Sequence, residues 1–250
     1  FYAGSRVNQK DLLKRVEKML EDGADFIDLG AQSSRPGAPE MPESEEKKVL
    51  RKALLEIRKE FPTALVSVDS YRYHVQKACL DLGSDIINNI GSDDNDEKIA
   101  PLSIEFGAAY LVMHIRGNPG NMSTKNQYQN VLQDVVFELA QKLQKLRLLG
   151  LSEVIIDPGF GFAKSPAQNF QFLKELAWFK HCFDEPLLVG LSRKSMLYKT
   201  LDSKAEDALN ASTAAHVLAL QNGAQILRVH DVKEAREAEK IHSAYLAASS

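Results

Sequence analysis

The chain has 250 residues, of which 44% are hydrophobic, and this is enough for one domain with a sizeable core. Its net charge of -3 and its scattered Lys and Arg residues argue against a nucleic-acid-binding stripe or a polybasic membrane patch. No apolar run approaches the roughly 18 residues of a membrane span. We therefore predict a single domain over residues 1–250 that is cytoplasmic and binds small molecules, not nucleic acid or membranes.

Short apolar runs alternate with longer helical segments along the whole chain. The first helix ends at Gly23 and is marked by apolar residues at helical spacing: Leu12, Leu13, Val16, Met19 and Leu20. Strands are predicted at 26–29, 65–69, 85–90, 109–114, 154–157, 187–190 and 226–230. The remaining helices are predicted at 44–60, 73–82, 95–106, 127–149, 167–182, 204–222 and 232–247. This alternation is typical of a parallel sheet covered by helices.

Seven predicted strands are one fewer than a closed (β/α)8 barrel contains. A barrel that lacks a strand would expose edges that a folded protein must cover. We therefore predict an α/β fold, a (β/α)8 TIM barrel, whose first strand and loop lie upstream of Phe1. An open seven-stranded sheet is the structural alternative.

Most predicted strands end in polar or charged side chains that could face a ligand. They are Asp28, Asp69, Asn88, His114, Asp157, Ser192 to Lys194, and Arg228 with His230. In parallel α/β folds, ligands bind at the carboxyl ends of the strands. These residues are therefore the candidates for a binding site, although we interpret His114 as structural.

Four segments suggest specific chemistry. Asp157 precedes a Pro-Gly turn, where its carboxylate could grip the planar edge of a pterin or guanine or simply cap the turn. Lys194 could donate to a carbonyl or phosphate, or belong to an ordinary basic loop. Arg228 and His230 alternate on one strand face, which favours an anion site. Arg35 precedes another Pro-Gly turn and could meet a carboxylate or pyrophosphate, or lie in a surface loop.

Seven segments together resemble the dihydropteroate synthase family in order and spacing. They are DLGAQSSRPGA at 28–38, SVDSYR at 67–72, IINNI at 86–90, MHIRGNP at 113–119, DPGFGFAK at 157–164, SRKSM at 192–196 and RVHDV at 228–232. That family consists of TIM-barrel transferases of folate biosynthesis. They join 6-hydroxymethyl-7,8-dihydropterin pyrophosphate to p-aminobenzoate, release pyrophosphate, and are inhibited by sulfonamides. The resemblance implies this reaction and these small-molecule partners here.

The resemblance also implies roles for individual residues. The pterin would be held by Asp69, Asn88, Met113, Asp157 and Lys194. The pyrophosphate would be held by Arg35, Arg228 and His230. The p-aminobenzoate would be bordered by Ser34, Arg35, Pro36, Phe162, Lys194 and Ser195. Catalysis is expected from Lys194, Arg228 and His230, without a covalent enzyme intermediate.

A Mg²⁺ cofactor and a homodimer are further implications of the resemblance. The family's metal-binding Asn would lie upstream of Phe1, so no metal ligand is assigned within this chain. The family's usual Asn-Asp pair is Asn88-Asn89 here, and we expect a modest effect because adjacent strand residues face opposite sides. Lys164 has no ligand role in the resemblance, so Lys164→Ala is expected to be mild, whereas Lys194→Ala should cripple the reaction.

Two other functions fit the pterin-binding residues. One is a pterin-binding methyltransferase module, and the other is a pterin-binding relative without turnover. The SRKS segment at 192–195 and the RVH segment at 228–230 argue against a methyltransferase, because a methyl donor has no pyrophosphate to neutralise.

Overall fold

The computed structural model describes residues 11–32, 41–91, 93–117 and 125–248. The strands in these ranges are β1 Phe26–Gly30, β2 Leu65–Asp69, β3 Ile86–Asn89, β4 Ala109–Met113, β5 Val154–Asp157, β6 Leu188–Val189 and β7 Ile226–Leu227. The α-helices are α1 Leu12–Glu21, α2 Glu43–Glu60, α3 Tyr73–Leu80, α4 Asp93–Phe106, α5 Val131–Leu148, α6 Pro166–Glu175, α7 Ser195–Thr200, α8 Leu209–Gln221 and α9 Val232–Ala247. Two 3-10 helices span Leu176–His181 and Ala205–Asp207.

The strands are parallel and follow one another in chain order. Strands β1 to β5 form one sheet, and β6 pairs with β7. Ile156 of β5 bridges to Leu187, next to β6, so the two sheets are continuous. Across the remaining gap, Nε of Arg228 after β7 donates to Oδ2 of Asp28 in β1 over 2.7 Å. The sheet therefore curves round until its first and last described strands face each other, as a barrel requires.

Two predicted helices begin or end differently in the structure, and one helix was not predicted. The predicted helix 167–182 splits into α6 and the 3-10 helix Leu176–His181, in which Leu176 and Phe179 are buried three residues apart, a spacing that suits a 3-10 turn. The predicted helix 204–222 likewise begins with a short 3-10 turn before α8. Helix α7 was not predicted, because six residues are too few to show a helical period.

The predicted strand 226–230 is also shorter than expected. Strand β7 ends at Leu227, although the backbone N–H of Arg228 still donates to the carbonyl of Val189 over 2.9 Å. Arg228 and His230 therefore lie beyond the strand, at its carboxyl end. The strand expected upstream of Phe1 lies outside the described residues and stays a prediction.

The core lies on both sides of the sheet. Outward-facing strand residues such as Ile87, Val112 and Ile156 pack beneath the helices. Inward-facing residues form a separate apolar cluster, which we call the interior cluster: Ile86, Ile90, Leu111, Met113, Ile155, Phe162, Ala163 and Leu188. This cluster lies directly beneath the polar side chains at the strand ends.

Candidate active site

The strand register brings four predicted pterin ligands together. Asp69 of β2 pairs with Asn88 of β3, and Met113 of β4 pairs with Asp157 of β5. Because side chains alternate along a strand, Asn88 and Asp157 point to the same side as the interior-cluster residues two positions earlier. The four side chains thus stand at the carboxyl ends of adjacent strands, where the sequence predicted a binding site.

Arg228 connects two of the acids at this mouth. Its Nη2 lies 2.6 Å from Oδ2 of Asp28 and 2.7 Å from Oδ2 of Asp69. Nδ2 of Asn88 donates to Oδ1 of Asp28 over 3.1 Å. Asp28 was recognised in the sequence as a ligand-facing strand end but was given no role, and the structure adds it to the cluster. We call Asp28, Asp69, Asn88 and Arg228 the inner cluster.

The charges of the inner cluster differ from those of free side chains. Burial raises the pKa of Asp28, but Arg228 and the hydrogen bonds from Ser67 and Asn88 outweigh it, so that the pKa lies below its ordinary value. Burial, together with repulsion from Asp28, raises the pKa of Asp69 to about 6 although Arg228 opposes the shift. Asp28 holds the pKa of Arg228 above its usual range. Arg228 is therefore a fixed cation, and Asp69 is the acid of this cluster that gains a proton first.

Asp157 and Lys194 form the second part of the site. The backbone N–H of Gly159 donates to Oδ1 of Asp157 over 2.7 Å. Burial raises the pKa of Asp157, and the positive charge of Lys194 opposes that shift. Burial likewise lowers the pKa of Lys194 to about 8, against the attraction of Asp157. The pair is well suited to bind a planar group that offers both donors and acceptors.

Lys194 is held by the loop that follows β5. Its ammonium donates to the carbonyl of Phe160 and lies 5.0 Å from the centre of the Phe162 ring, a cation–π contact. Gly161 has a φ of 78°, and a Cβ there would lie only 3.2 Å from Cδ of Lys194. Glycine therefore allows both the turn and the close approach of the lysine stem.

The loops after β6 and β7 are fastened to each other. Arg193 is buried and donates to both carboxylate oxygens of Asp231, over 2.8 and 3.0 Å, so its charge is used within the protein. The Ser192 hydroxyl accepts from the backbone N–H of His230 over 3.2 Å. Burial, assisted by the charge of Arg228, lowers the pKa of His230 to about 4. At neutral pH His230 is therefore a neutral hydrogen-bonding group, not a second cation.

The predicted p-aminobenzoate border is only partly described. Ser34, Arg35 and Pro36 lie outside the described residues, so their roles stay predictions. Phe162 belongs to the interior cluster and lies beside the Lys194 ammonium, and Ser195 begins helix α7 directly after it.

Asn89 faces away from the site, as the alternation of the strand predicted. Its Nδ2 donates to Oδ1 of Asp96 over 2.8 Å and contacts the Tyr110 hydroxyl at 2.9 Å, and its Oδ1 accepts from the N–H of Gly91 over 2.9 Å. Asp96 in turn lies 2.6 Å from Nζ of Lys142. We call Asn89, Asp96, Tyr110 and Lys142 the outer cluster. Asp96 supplies a carboxylate to this layer, where the sequence suggested that one had been lost.

Lys164 and His114 form a buried pair behind the site. Nζ of Lys164 lies 3.1 Å from Nδ1 of His114, and Nε2 of His114 lies 3.0 Å from Glu138. Lys164 also donates to three carbonyls of its own loop. Burial lowers the pKa of Lys164 to about 7 and that of His114 to about 4. The expectation that Lys164→Ala is mild does not fit these contacts, because the substitution would leave several buried acceptors without a donor.

Comparison with known proteins gives the family. The model of the pterin-binding enzymes matches residues 1–230. The dihydropteroate synthase of Haemophilus influenzae is 36% identical over 234 residues, which are 93% of this chain and 84% of that protein. The chain belongs to the dihydropteroate synthase family. The family is a transferase family of folate biosynthesis, so the predicted enzyme class is confirmed, and the two alternative functions are not supported.

Solved dihydropteroate synthases have the same fold. The Yersinia pestis enzyme, solved as a complex with a sulfonamide drug, has a TM-score of 0.90 and 34% identity, covering 96% of this chain and 87% of that one. The Burkholderia cenocepacia enzyme, solved with 7,8-dihydropteroate, has a TM-score of 0.87 and 32% identity, covering 96% and 88%. The TIM-barrel prediction is thereby confirmed over the open-sheet alternative. Among the described helices of this dihydropteroate synthase family member, none is long and apolar enough to cross a membrane.

Proposed function

We propose that the inner cluster, Asp157 and Lys194 carry out the family's reaction in this chain, as the binding site for dihydropterin pyrophosphate and p-aminobenzoate. The observation that carries the proposal is the convergence of Asn88, Asp157, Lys194 and Arg228 from four separate strand ends on one mouth of the barrel. Residues from distant parts of the chain meet there. Their amide and carboxylate groups can bind a polar ring, and their positive charges can bind an anionic leaving group.

The pterin ring would bind between the strand ends that carry Asp69 and Asp157. In the described part of the chain, Oδ1 of Asn88 is buried without a hydrogen-bond partner, so it can accept from an amino group of the ring. Asp157 uses Oδ1 for the N–H of Gly159, which leaves Oδ2 to accept from the same planar edge. Met113, in the interior cluster, would supply the apolar surface beneath the ring.

The pyrophosphate would leave toward Arg228 and His230. Arg228 keeps its charge at any working pH, because Asp28 raises its pKa. Its side chain is 38% exposed, so incoming phosphate oxygens can reach the guanidinium in exchange for Asp28 and Asp69. His230 would donate its neutral ring N–H to a pyrophosphate oxygen. Stabilisation of the departing charge is the main task, since the positive charge that develops on the methylene carbon is stabilised by the pterin itself.

The arylamine would attack from the side of Lys194. The Lys194 ammonium and the Phe162 ring lie 5.0 Å apart and form one wall, with Ser195 at the start of α7. Ser34, Arg35 and Pro36, which lie outside the described residues, are also proposed to border the p-aminobenzoate. The site would orient the amine nitrogen toward the methylene carbon, so that the C–N bond forms as the C–O bond to pyrophosphate breaks. The nitrogen then loses one proton to solvent, and no side chain needs to form a covalent bond.

Mg²⁺, a homodimer and a cytoplasmic location complete the proposal. Mg²⁺ would neutralise the pyrophosphate, but no three carboxylate, histidine or cysteine side chains of the described residues group together as a metal site. Mg²⁺ held by pyrophosphate oxygens needs only one or two protein oxygens, and the resemblance places that protein ligand upstream of Phe1. Exposed apolar side chains on α8 and α9, Leu218, Ile241 and Tyr245, support a second copy as partner.

Release of pyrophosphate tests the proposal. The full chain, including any native residues upstream of Phe1, would be given dihydropterin pyrophosphate with Mg²⁺, with and without p-aminobenzoate. We expect release that needs both substrates and stops with EDTA or a sulfonamide. Pterin binding without release would contradict the proposal and favour a relative without turnover.

A matched pair of lysine variants assigns the reaction to this site. Lys194→Ala should abolish release. Lys199→Ala, which removes a lysine from the last turn of α7, should leave release unchanged. Equal losses in both variants would contradict the placement of the site.

A further inference from the structure

Lys164 is a buried cation beside the site for which the proposed reaction has no use. The residue is only 8% exposed. Its ammonium lies within 3.2 Å of four acceptors, namely the carbonyls of Pro158, Gly159 and Phe162 and Nδ1 of His114. An ammonium has three N–H groups, so these acceptors occupy all of them. The lysine is thus fully engaged with its own loop and one neighbouring loop.

The loop that Lys164 holds has an unfavourable backbone. Gly159, Gly161 and Ala163 have φ values of 71°, 78° and 50°, all in the left-handed region, which is costly for Ala163. A Cβ on Gly159 would lie 2.0 Å from the carbonyl oxygen of His114, so the loops after β4 and β5 are in direct contact. Three carbonyls bound to one ammonium keep this short loop closed.

The same loop positions the groups proposed to bind substrate. The N–H of Gly159 fixes the Asp157 carboxylate, and the carbonyl of Phe160 and the ring of Phe162 both contact the Lys194 ammonium. Any change in the path of residues 158–163 would therefore move the pterin acid and the substrate-facing lysine together.

We propose that Lys164 is a positioning residue, which fixes loop 158–163 so that Asp157, Phe162 and Lys194 hold both substrates in reacting geometry. It does not contact the substrates itself. The proposal rests on the proposed function of the site. Displacements of about 1 Å in catalytic groups can cost about 100-fold in rate, so the loss of this support should be visible in kinetics.

Steady-state kinetics of Lys164→Met and Lys164→Arg test the proposal. They are measured well below each variant's Tm, where essentially all of the protein is folded. Lys164→Met keeps an unbranched side chain that is one atom shorter and removes all donors. We expect its KM values for both substrates to rise about tenfold or more, with a lower kcat. Lys164→Arg keeps the charge and should raise both KM values about threefold, with Tm nearly unchanged. Unchanged KM values in folded Lys164→Met, with only a lower Tm, would overturn the proposal.

Two controls keep the outcome decisive. If Lys164→Met does not fold, Lys164→Gln, which keeps two N–H donors on a shorter side chain, takes its place, and unchanged KM values in the folded Gln variant would overturn the proposal. Lys142→Met removes another buried lysine, which donates to the carbonyl of Met113 from the helix side of the sheet, and should lower Tm with little effect on either KM. Absence of pyrophosphate release by the unsubstituted enzyme would instead contradict the proposed function itself, so the two failures are distinguishable.

Discussion

The two neighbouring asparagines of β3 show how one strand serves two purposes. Asn88 points into the barrel, where its Oδ1 is buried without a partner in the described part of the chain. Asn89 points to the helix layer, where both its Oδ1 and its Nδ2 make hydrogen bonds. Both residues are buried, yet only one has bonding capacity left for a ligand. Unused hydrogen-bonding capacity therefore separates Asn88 of the inner cluster from Asn89 of the outer cluster.

The largest expected effect is on the inner cluster. Arg228→Gln removes the permanent cation from the proposed pyrophosphate site, and we expect kcat/KM to fall about 1,000-fold, which is typical for a lost group that stabilises developing charge. Pyrophosphate release at saturating p-aminobenzoate measures this. A decrease below about fivefold would mean that Arg228 serves only to neutralise Asp28 and Asp69.

Asn88→Ala should separate activity from stability. The variant loses an amide proposed to bind the pterin, so kcat/KM should fall about 100-fold, while Tm should change by no more than about 3 °C. Enzyme assays and thermal unfolding of the same preparation measure both. A large loss of Tm with normal turnover of the folded enzyme would contradict the assignment of Asn88 to the site.

Asn89→Ala should give the reverse result. The substitution leaves the N–H of Gly91 without its acceptor and Asp96 without one donor, so we expect a loss of about 2 kcal/mol in the free energy of unfolding. Turnover of the folded variant should be unchanged. Urea unfolding gives the free energy, and a selective rise in the KM of the pterin substrate would show that the two faces of β3 are not independent.

The pH dependence of activity should follow the loss of the Lys194 charge. Its pKa is lowered to about 8, mainly by burial, so its charge is present below that pH and is lost as pH rises through it. We expect kcat/KM to fall about tenfold for each pH unit above 8. Lys194→Arg should move this decrease to higher pH. A decrease that persists in Lys194→Arg and begins near pH 7 would identify Lys164, whose pKa is lowered to about 7, as the titrating group.

The smallest expected effect concerns the outer cluster again. The Tyr110 hydroxyl donates to Oδ1 of Asp96 over 2.7 Å. Tyr110→Phe should lower the free energy of unfolding by about 1 kcal/mol, the usual net value of one hydrogen bond, with no change in kinetics. Denaturant titration can resolve such a difference, and a change in kcat would argue against a purely structural role.

Local patterns in the chain were sufficient to predict much of this protein. Alternation and helical periodicity placed all seven described strands, and the polar residues at their ends pointed to one face of a barrel. The motifs identified the family, which the relatives confirm. The short helix α7 was missed, because six residues make fewer than two turns and carry too little periodic signal.

By itself, the sequence determined the order of strands and helices, the family, and which residues stand at the strand ends, because each of these depends on local spacing. Only the tertiary structure decided which side chains pair. Arg228 meets Asp28 across 200 positions of the chain, Arg193 is bound by Asp231, and Lys164 is enclosed by its own loop. Such pairings depend on closure of the sheet and on desolvation within it, and neither is encoded in the spacing of neighbouring residues.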